Sequence, residues 1–240
     1  MKQYFVLTDV HGRLPTLNMY EERGFDITNP HHFIVCLGDY FDRGIQNRSV
    51  LRFFSQLKRK LGDRCMLIYG NHDQYFMDFV SVIEGSCVIG QPIDIQWPQF
   101  ERWMFNGGAS TLKELFGSMN GKYTLTKQKN LQKLKEFGTL LQPYYETDAY
   151  IFTHASINEQ REVDTWDRDF IHHGINTNKT VLIGHTPHIY LEGVCDFVTC
   201  NVLKGTPFTY SYAQSKSKTL CNVWNIDNGQ GNNLAVLVED

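Results

Sequence analysis

The sequence lacks any apolar run long enough to cross a membrane. Its longest, Phe33 to Leu37 and Leu234 to Val238, are about a quarter of the roughly 20 residues that a membrane helix needs. Near the start, Asp9 interrupts the apolar stretch Tyr4 to Leu7 before it could serve as a signal-peptide core, so a cytoplasmic location without a membrane partner is expected. An excess of one charge is also missing. With 23 Lys and Arg against 26 Asp and Glu, a net charge of −3 gives no broad basic face, which argues against stable nucleic-acid binding. The 6 cysteines form no C-x-x-C pair, and 240 residues bury enough core to fold without disulfide staples. Cys36 and Cys65 lie inside apolar runs and read as buried thiols, while Cys195, Cys200 and Cys221 leave a small zinc site or a thiol sensor open. Only 7 Pro and 19 Gly, with 42% hydrophobic residues, exclude collagen-like and disordered chains, and no internal repeat suggests a solenoid.

What stands out is 9 histidines and where they fall. Three times in the first 75 residues a short apolar run ends abruptly in polar residues and is followed by a helix-like stretch. Tyr4 to Leu7 ends in Thr8-Asp9-Val10-His11-Gly12, Phe33 to Leu37 in Gly38-Asp39-Tyr40-Phe41-Asp42-Arg43-Gly44, and Cys65 to Tyr69 in Gly70-Asn71-His72-Asp73. Such units predict a layered α/β architecture. The region from Gln91 to Gln142 reads as mostly helical, with turns at Asn106-Gly107-Gly108 and Asn120-Gly121. Strand signals return at Ala149 to Thr153, which runs into His154, and at Thr180 to Ile183, which runs into Gly184-His185-Thr186. Residues 193–221 read as a long surface excursion on a single domain spanning 1–240, before two last β-like runs, Asn222 to Ile226 and Asn233 to Val238.

Five strand ends therefore deliver oxygen and nitrogen ligands to one edge of a sheet, the edge where α/β proteins bind ligands. Alternation along a strand would place Asp9 and His11 on one face. Mixed carboxylate, imidazole and amide donors suit Mn²⁺, Fe²⁺ or Zn²⁺ better than Ca²⁺. One ion can be built from Asp9, His11 and Asp39, and a second from Asn71, His154 and His185, with Asp39 reaching both. Two carboxylates against two divalent ions leave a positive surplus that would acidify a bridging water and attract a phosphate. Arg43 offers a fork of donors for phosphoryl oxygens. His72, next to Asn71, is placed to protonate a leaving group, with Asp42 to orient it. His31, His32, His172, His173 and His188 read as solvated surface positions.

In this order the motifs resemble the phosphoprotein phosphatase family of metallophosphoesterases, most closely its bacterial and phage, lambda phosphatase-like branch. The resemblance covers about Met1 to His188 and resumes near Trp224 to Val238. It implies the calcineurin-like fold, a central β-sandwich of two mixed sheets flanked by helices. It implies the same ligand sets, the Asp42–His72 pair as leaving-group acid, and phosphate binding by Arg43 and by Arg168 of Trp166-Asp167-Arg168-Asp169. The implied activity is metal-dependent hydrolysis of phosphoserine and phosphothreonine by in-line attack of a metal-bridging hydroxide. Two divalent ions are implied, Mn²⁺ first, with Fe, Zn or Ni as alternatives. The substrate would be a phosphorylated protein or a small phosphoester. Thr8 stands where the family usually has Gly, and Ser156 where Gly or Asp is common, but neither removes a ligand.

Other readings keep the chemistry and change the substrate. Symmetrical dinucleoside tetraphosphate hydrolases of this kind usually carry Ala at the position of Asp42 and Trp at that of Thr186, so both residues favour the phosphoprotein reading. An RNA-end 2′,3′-cyclic phosphate phosphatase could use Lys204, Lys216 and Lys218 of the excursion, against the net charge. A non-catalytic scaffold would be expected to lose ligands first, and here all are present.

Overall fold

The computed structural model describes residues 1–93, 95, 97–117, 122–201, 209–215 and 222–240. Each of the three opening runs is buried on both faces, which is why it is apolar throughout and does not alternate. They form β1 (Lys2–Leu7), β2 (His32–Cys36) and β3 (Cys65–Ile68), parallel and side by side. The short β4 (Leu141–Gln142) extends them in parallel, and β13 (Ala235–Glu239) pairs antiparallel with β1, giving the order β13-β1-β2-β3-β4. One face of these strands, with Phe5, Leu7, Ile34, Cys36, Cys65 and Leu67, packs on helices. The other, with Tyr4, Val6, Val35, Leu37, Met66 and Ile68, packs on a second sheet through Phe152, Leu182, Tyr210, Tyr212 and Ile226.

That second sheet comprises β5 (Tyr144–Glu146), β6 (Tyr150–Thr153), β9 (Thr180–Ile183), β10 (Cys195–Asn201), β11 (Thr209–Ser215) and β12 (Asn222–Asn225). Its order is β10-β11-β12-β9-β6-β5, with the inner β12, β9 and β6 parallel and the rest antiparallel. A small hairpin, β7 (Ser156–Ile157) and β8 (Val163–Asp164), follows β6. Both sheets are thus mixed, as the resemblance implied.

The helices are α1 (Leu17–Glu21), α2 (Asn47–Leu61), α3 (Asn71–Ser86), α4 (Phe100–Trp103), α5 (Ala109–Phe116), α6 (Leu125–Gly138) and α7 (Phe170–His173). In α2 the residues Val50, Leu51, Phe54, Leu57 and Leu61 recur at helical spacing and face the core. Lys58, Arg59 and Lys60 crowd its last turn, where the helix dipole favours cations.

Two expectations are corrected. Within 193–221, β10 and β11 pair along seven rungs and widen the second sheet, so the described part is a hairpin and not a surface loop. Tyr210 and Tyr212 are buried between the sheets, and that burial drives the pairing. The turn expected at Asn106-Gly107-Gly108 is present as a kink between two helices, with Gly107 outside the helical backbone range. Residues Met104–Gly108 form a π-helical turn joining α4 to α5, with the strain absorbed by Gly107 at φ 106°. His32 is buried at the start of β2, where its Nδ1 accepts from Asp26 N–H at 2.9 Å. Cys36 and Cys65 are buried free thiols as expected. Asn120-Gly121, Lys204, Lys216, Lys218 and Cys221 lie outside the described residues.

Candidate metal centre

The polar residues follow the C-terminal ends of β1, β2, β3, β6 and β9, on loops except for Asn71 and His72, which open α3. Asp9 and His11 do not share a strand face, because β1 ends at Leu7. Both have left-handed backbones, φ 50° and 44°, and the turn this makes aims their side chains together. Asp39, Asp42, Arg43 and His185 also have positive φ, so among the described residues six of the seven non-glycine residues with positive φ are site residues. Such backbones cost about 1–3 kcal/mol each and persist only where neighbours hold them. Here the loops run in register, with Asp9 N–H donating to Gly38 O, His11 N–H to Asp39 O and Gly12 N–H to Tyr40 O. Close approach also demands glycine at position 70, where a Cβ would lie 2.1 Å from Asp39 Oδ1 and 2.7 Å from His154 Cε1.

Asp39, 1% exposed, lies at the centre. Its Oδ2 is 3.4 Å from His11 Nε2 and its Oδ1 is 3.6 Å from His154 Nε2, so one carboxylate faces two groups. Burial alone would raise its pKa, but His154, His72, His11 and His185 around it outweigh that and hold it ionised below the usual carboxylate range. His11 is buried and pushed down to about 3, so it is neutral. Its Nδ1 donates to Phe41 O at 3.0 Å, which turns the Nε2 lone pair inward, and that atom is buried with no hydrogen-bond partner. Asp9 Oδ1 is 3.8 Å from it, while Asp9 Oδ2 accepts from the Thr8 hydroxyl and His185 N–H.

The second group repeats the pattern. His154 Nδ1 donates to Leu37 O at 2.8 Å, and its Nε2 lies 3.1 Å from Asn71 Oδ1. His185 Nδ1 is 3.0 Å from the same oxygen, and its Nε2 is buried without a partner. Burial and neighbouring His154 push His185 down to about 3. Orphaned lone pairs, neutral imidazoles and a shared carboxylate fit two divalent ions, and the donor atoms of Asp39, His154 and His185 lie within 4.8 Å of one another. His72 is equally close to His11 and Asp39. Both its nitrogens are engaged, Nδ1 with Asp42 Oδ2 at 2.8 Å and Nε2 with Arg43 Nη2 at 3.1 Å, whereas Asp9 keeps Oδ1 on the side of His11.

Residues 3–213 match the calcineurin-like phosphoesterase family. The chain belongs to this family. A candidate serine/threonine-protein phosphatase of Caenorhabditis elegans is 31% identical over 94 residues, 38% of this chain; the match spans only 25% of that relative's length. Among solved structures, the cold-active protein-tyrosine phosphatase of a psychrophilic Shewanella species superposes with TM-score 0.53 at 15% identity, covering 99% of this chain and 75% of that one. A candidate diadenosine tetraphosphatase superposes at TM-score 0.50 and 14% identity, covering 95% and 83%. At such identities these two likenesses are of fold alone.

The fold brings all ten expected site residues to this edge. Arg43 and Arg168 are exposed at its mouth, and Arg168 Nη1 reaches the Thr186 hydroxyl at 3.5 Å. Three residues with no assigned role in the sequence also belong to the site. Asp73 is fully buried and accepts from the N–H groups of Asp39, Tyr40 and Gly70, lashing the β2 and β3 loops together. Trp103 Nε1 donates to Asp42 Oδ2 at 2.8 Å and the Thr111 hydroxyl to Asp42 Oδ1 at 2.5 Å. Asp73 was discoverable, since a carboxylate three residues into a helix start is a capping signal. Trp103 and Thr111 stand 61 and 69 residues from Asp42, and nothing local marks them.

Proposed function

We propose that this phosphoesterase is a metal-dependent phosphomonoesterase of the serine/threonine phosphatase type. The observation that carries the reading is the Asp39 carboxylate, divided between His11 and His154 whose tautomers are both locked toward it. In it Asp9, His11 and Asp39 hold one ion and Asp39, Asn71, His154 and His185 the other, with Mn²⁺ the expected metal. Bound there, the two ions supply Lewis acidity to the phosphoryl group and to the attacking water.

The chain's own residues do the rest. Arg43 and Arg168 grip phosphoryl oxygens from the open side. His72 Nδ1–H is fixed on Asp42, so Nε2, which accepts from Arg43 Nη2 at 3.1 Å, is the atom that would carry a proton to the departing alkoxide once Arg43 turns to the phosphoryl oxygens. Asp39 and Asp42 favour the protonated ring more than burial disfavours it, and His72 is accordingly shifted up. Asp42 can hold that ring because Trp103 and Thr111 occupy its remaining lone pairs. Asp42 and Thr186 weigh against a dinucleoside tetraphosphate as the substrate, and placement in the bacterial and phage branch rests on the motifs.

The test is a side-by-side assay of a phosphoserine peptide, diadenosine tetraphosphate and a 2′,3′-cyclic nucleotide with Mn²⁺. Hydrolysis of the phosphopeptide foremost, abolished by a chelator and restored by Mn²⁺, is expected. Preferred cleavage of either nucleotide would overturn the substrate class, and no metal-dependent hydrolysis of any of them would overturn the activity.

A further inference from the structure

A third arginine stands at the mouth of the site with no task in the reaction above. Trp166 is 37% exposed and two residues from Arg168. Its ring centre is 6.3 Å from that of His185 and 5.5 Å from that of Tyr75, which in turn is 6.2 Å from His72. The indole therefore spans the rim between the ligand histidine on one side and the acid histidine on the other. Over this indole lies the guanidinium of Arg102, with Cζ 4.8 Å from the ring centre. The segment carrying Arg102 is tied to the phosphate side twice: Trp103 bonds Asp42, and Arg43 N–H donates to Gly107 O at 3.1 Å.

Stacking on an aromatic face fixes a guanidinium but leaves its in-plane N–H fork free for an anion. Among the described residues no carboxylate pairs with Arg102. Beside it the Tyr75 hydroxyl is buried with no close hydrogen bond, and the Arg102 guanidinium is the donor that leans toward it. The exposed, pre-oriented fork therefore has one edge toward this hydroxyl and the other open, one ring's width from the reacting centre.

We propose that Arg102, seated on Trp166, selects substrates carrying a second anionic group close to the phosphoryl group that is hydrolysed. This rests on the phosphomonoesterase reading of the same site. The second anion is a carboxylate flanking a phosphorylated residue or a further phosphoryl group, and both offer the oxygen pair that a guanidinium fork matches.

The Mn²⁺-loaded protein and its Arg102→Gln variant should be compared on two substrate pairs. One is a phosphoserine peptide with aspartate flanks against the same peptide with asparagine flanks. The other is diadenosine tetraphosphate against p-nitrophenyl phosphate. In the variant, the kcat/KM ratio of at least one pair is expected to fall about fivefold, mainly through KM, because one charge-assisted contact at an exposed position is lost. A fall confined to the peptide pair identifies a side-chain carboxylate, and one confined to the nucleotide pair a second phosphoryl group. Arg102→Lys, which keeps the charge and loses the fork, should recover part of the ratio. Calorimetry should give the same loss for inorganic pyrophosphate relative to inorganic phosphate. Unchanged ratios on both pairs would overturn the role of Arg102 while leaving the phosphatase reading intact. Absence of hydrolysis by the unmodified protein on all four would overturn that reading and this one with it.

Discussion

Replacing Asp73 with asparagine tests whether the metal centre depends on a residue that touches neither the metal nor the substrate. Asp73 Oδ2 accepts from Asp39 N–H at 2.7 Å and Gly70 N–H at 2.8 Å, and Oδ1 accepts from Tyr40 N–H at 3.1 Å, with the side chain fully buried. Asparagine has the same shape, so no cavity opens. Its amide keeps one oxygen, which can serve the first two donors, and must turn NH₂ toward the third. A buried N–H without an acceptor costs about 1–3 kcal/mol, and because burial and neighbouring Asp39 push the Asp73 carboxyl well up, no charge-assisted part is added. The loss is about 2 kcal/mol, which in a domain of this size lowers Tm by roughly 4–8 °C. The loss falls on the loops that place Asp39 and Asn71, so elemental analysis should find fewer than two ions retained after dialysis. Thermal denaturation with and without added Mn²⁺ measures both effects. A Tm within about 2 °C of the unmodified protein, with two ions kept, would refute the idea that Asp73 holds the two loops in register.

Two other outcomes are expected. Trp103→Phe removes the indole N–H from Asp42 and should lower kcat about tenfold on an alkyl phosphate, and less on p-nitrophenyl phosphate, whose leaving group needs little protonation. Steady-state kinetics on both substrates checks this; equal losses would indicate a packing effect only. Glu146 accepts from Arg161 through both oxygens at 2.8 Å and pairs with Lys179 at 2.9 Å, which holds it down at about 2, below an ordinary 4.5. With the folded pKa depressed, this stabilisation is complete above about 4.5 and disappears as pH falls toward 2. Glu146→Gln should thus cost about 1 kcal/mol at pH 7, after allowing for solvent screening, and nothing near pH 2. Urea titrations across pH would contradict this if the difference stayed constant.

Much of the site was legible because strand ends write themselves into sequence: an apolar run stops, and ligands follow within a few residues. Asp9, His11, Asp39, Asn71, His154 and His185 all obey that rule. The turn geometry was not legible, since positive φ at Asp9, His11, Asp39 and Asp42 falls on residue types that also occupy ordinary conformations. The hairpin of β10 and β11 was hidden for another reason. Its Thr, Ser and Tyr content resembles a polar loop, and only the partner sheet reveals that Tyr210 and Tyr212 face inward. Support for Asp42 came from helices distant along the chain, a contact that no window of neighbouring residues contains.

The pairing of β13 with β1 constrains how the molecule can assemble. β1 is an inner strand of its sheet, and the strand on its outer side comes from residues 235–239, with the Tyr4 hydroxyl bonded to Glu239 across 235 residues. During synthesis the β1 backbone therefore waits with one edge bare until residues 235–239 have been made. Closing so long a loop is slow, and an unpaired apolar strand is a template for pairing with other chains. Folding yield should therefore be more sensitive to Ala235–Glu239 than the native stability of that edge strand alone would suggest.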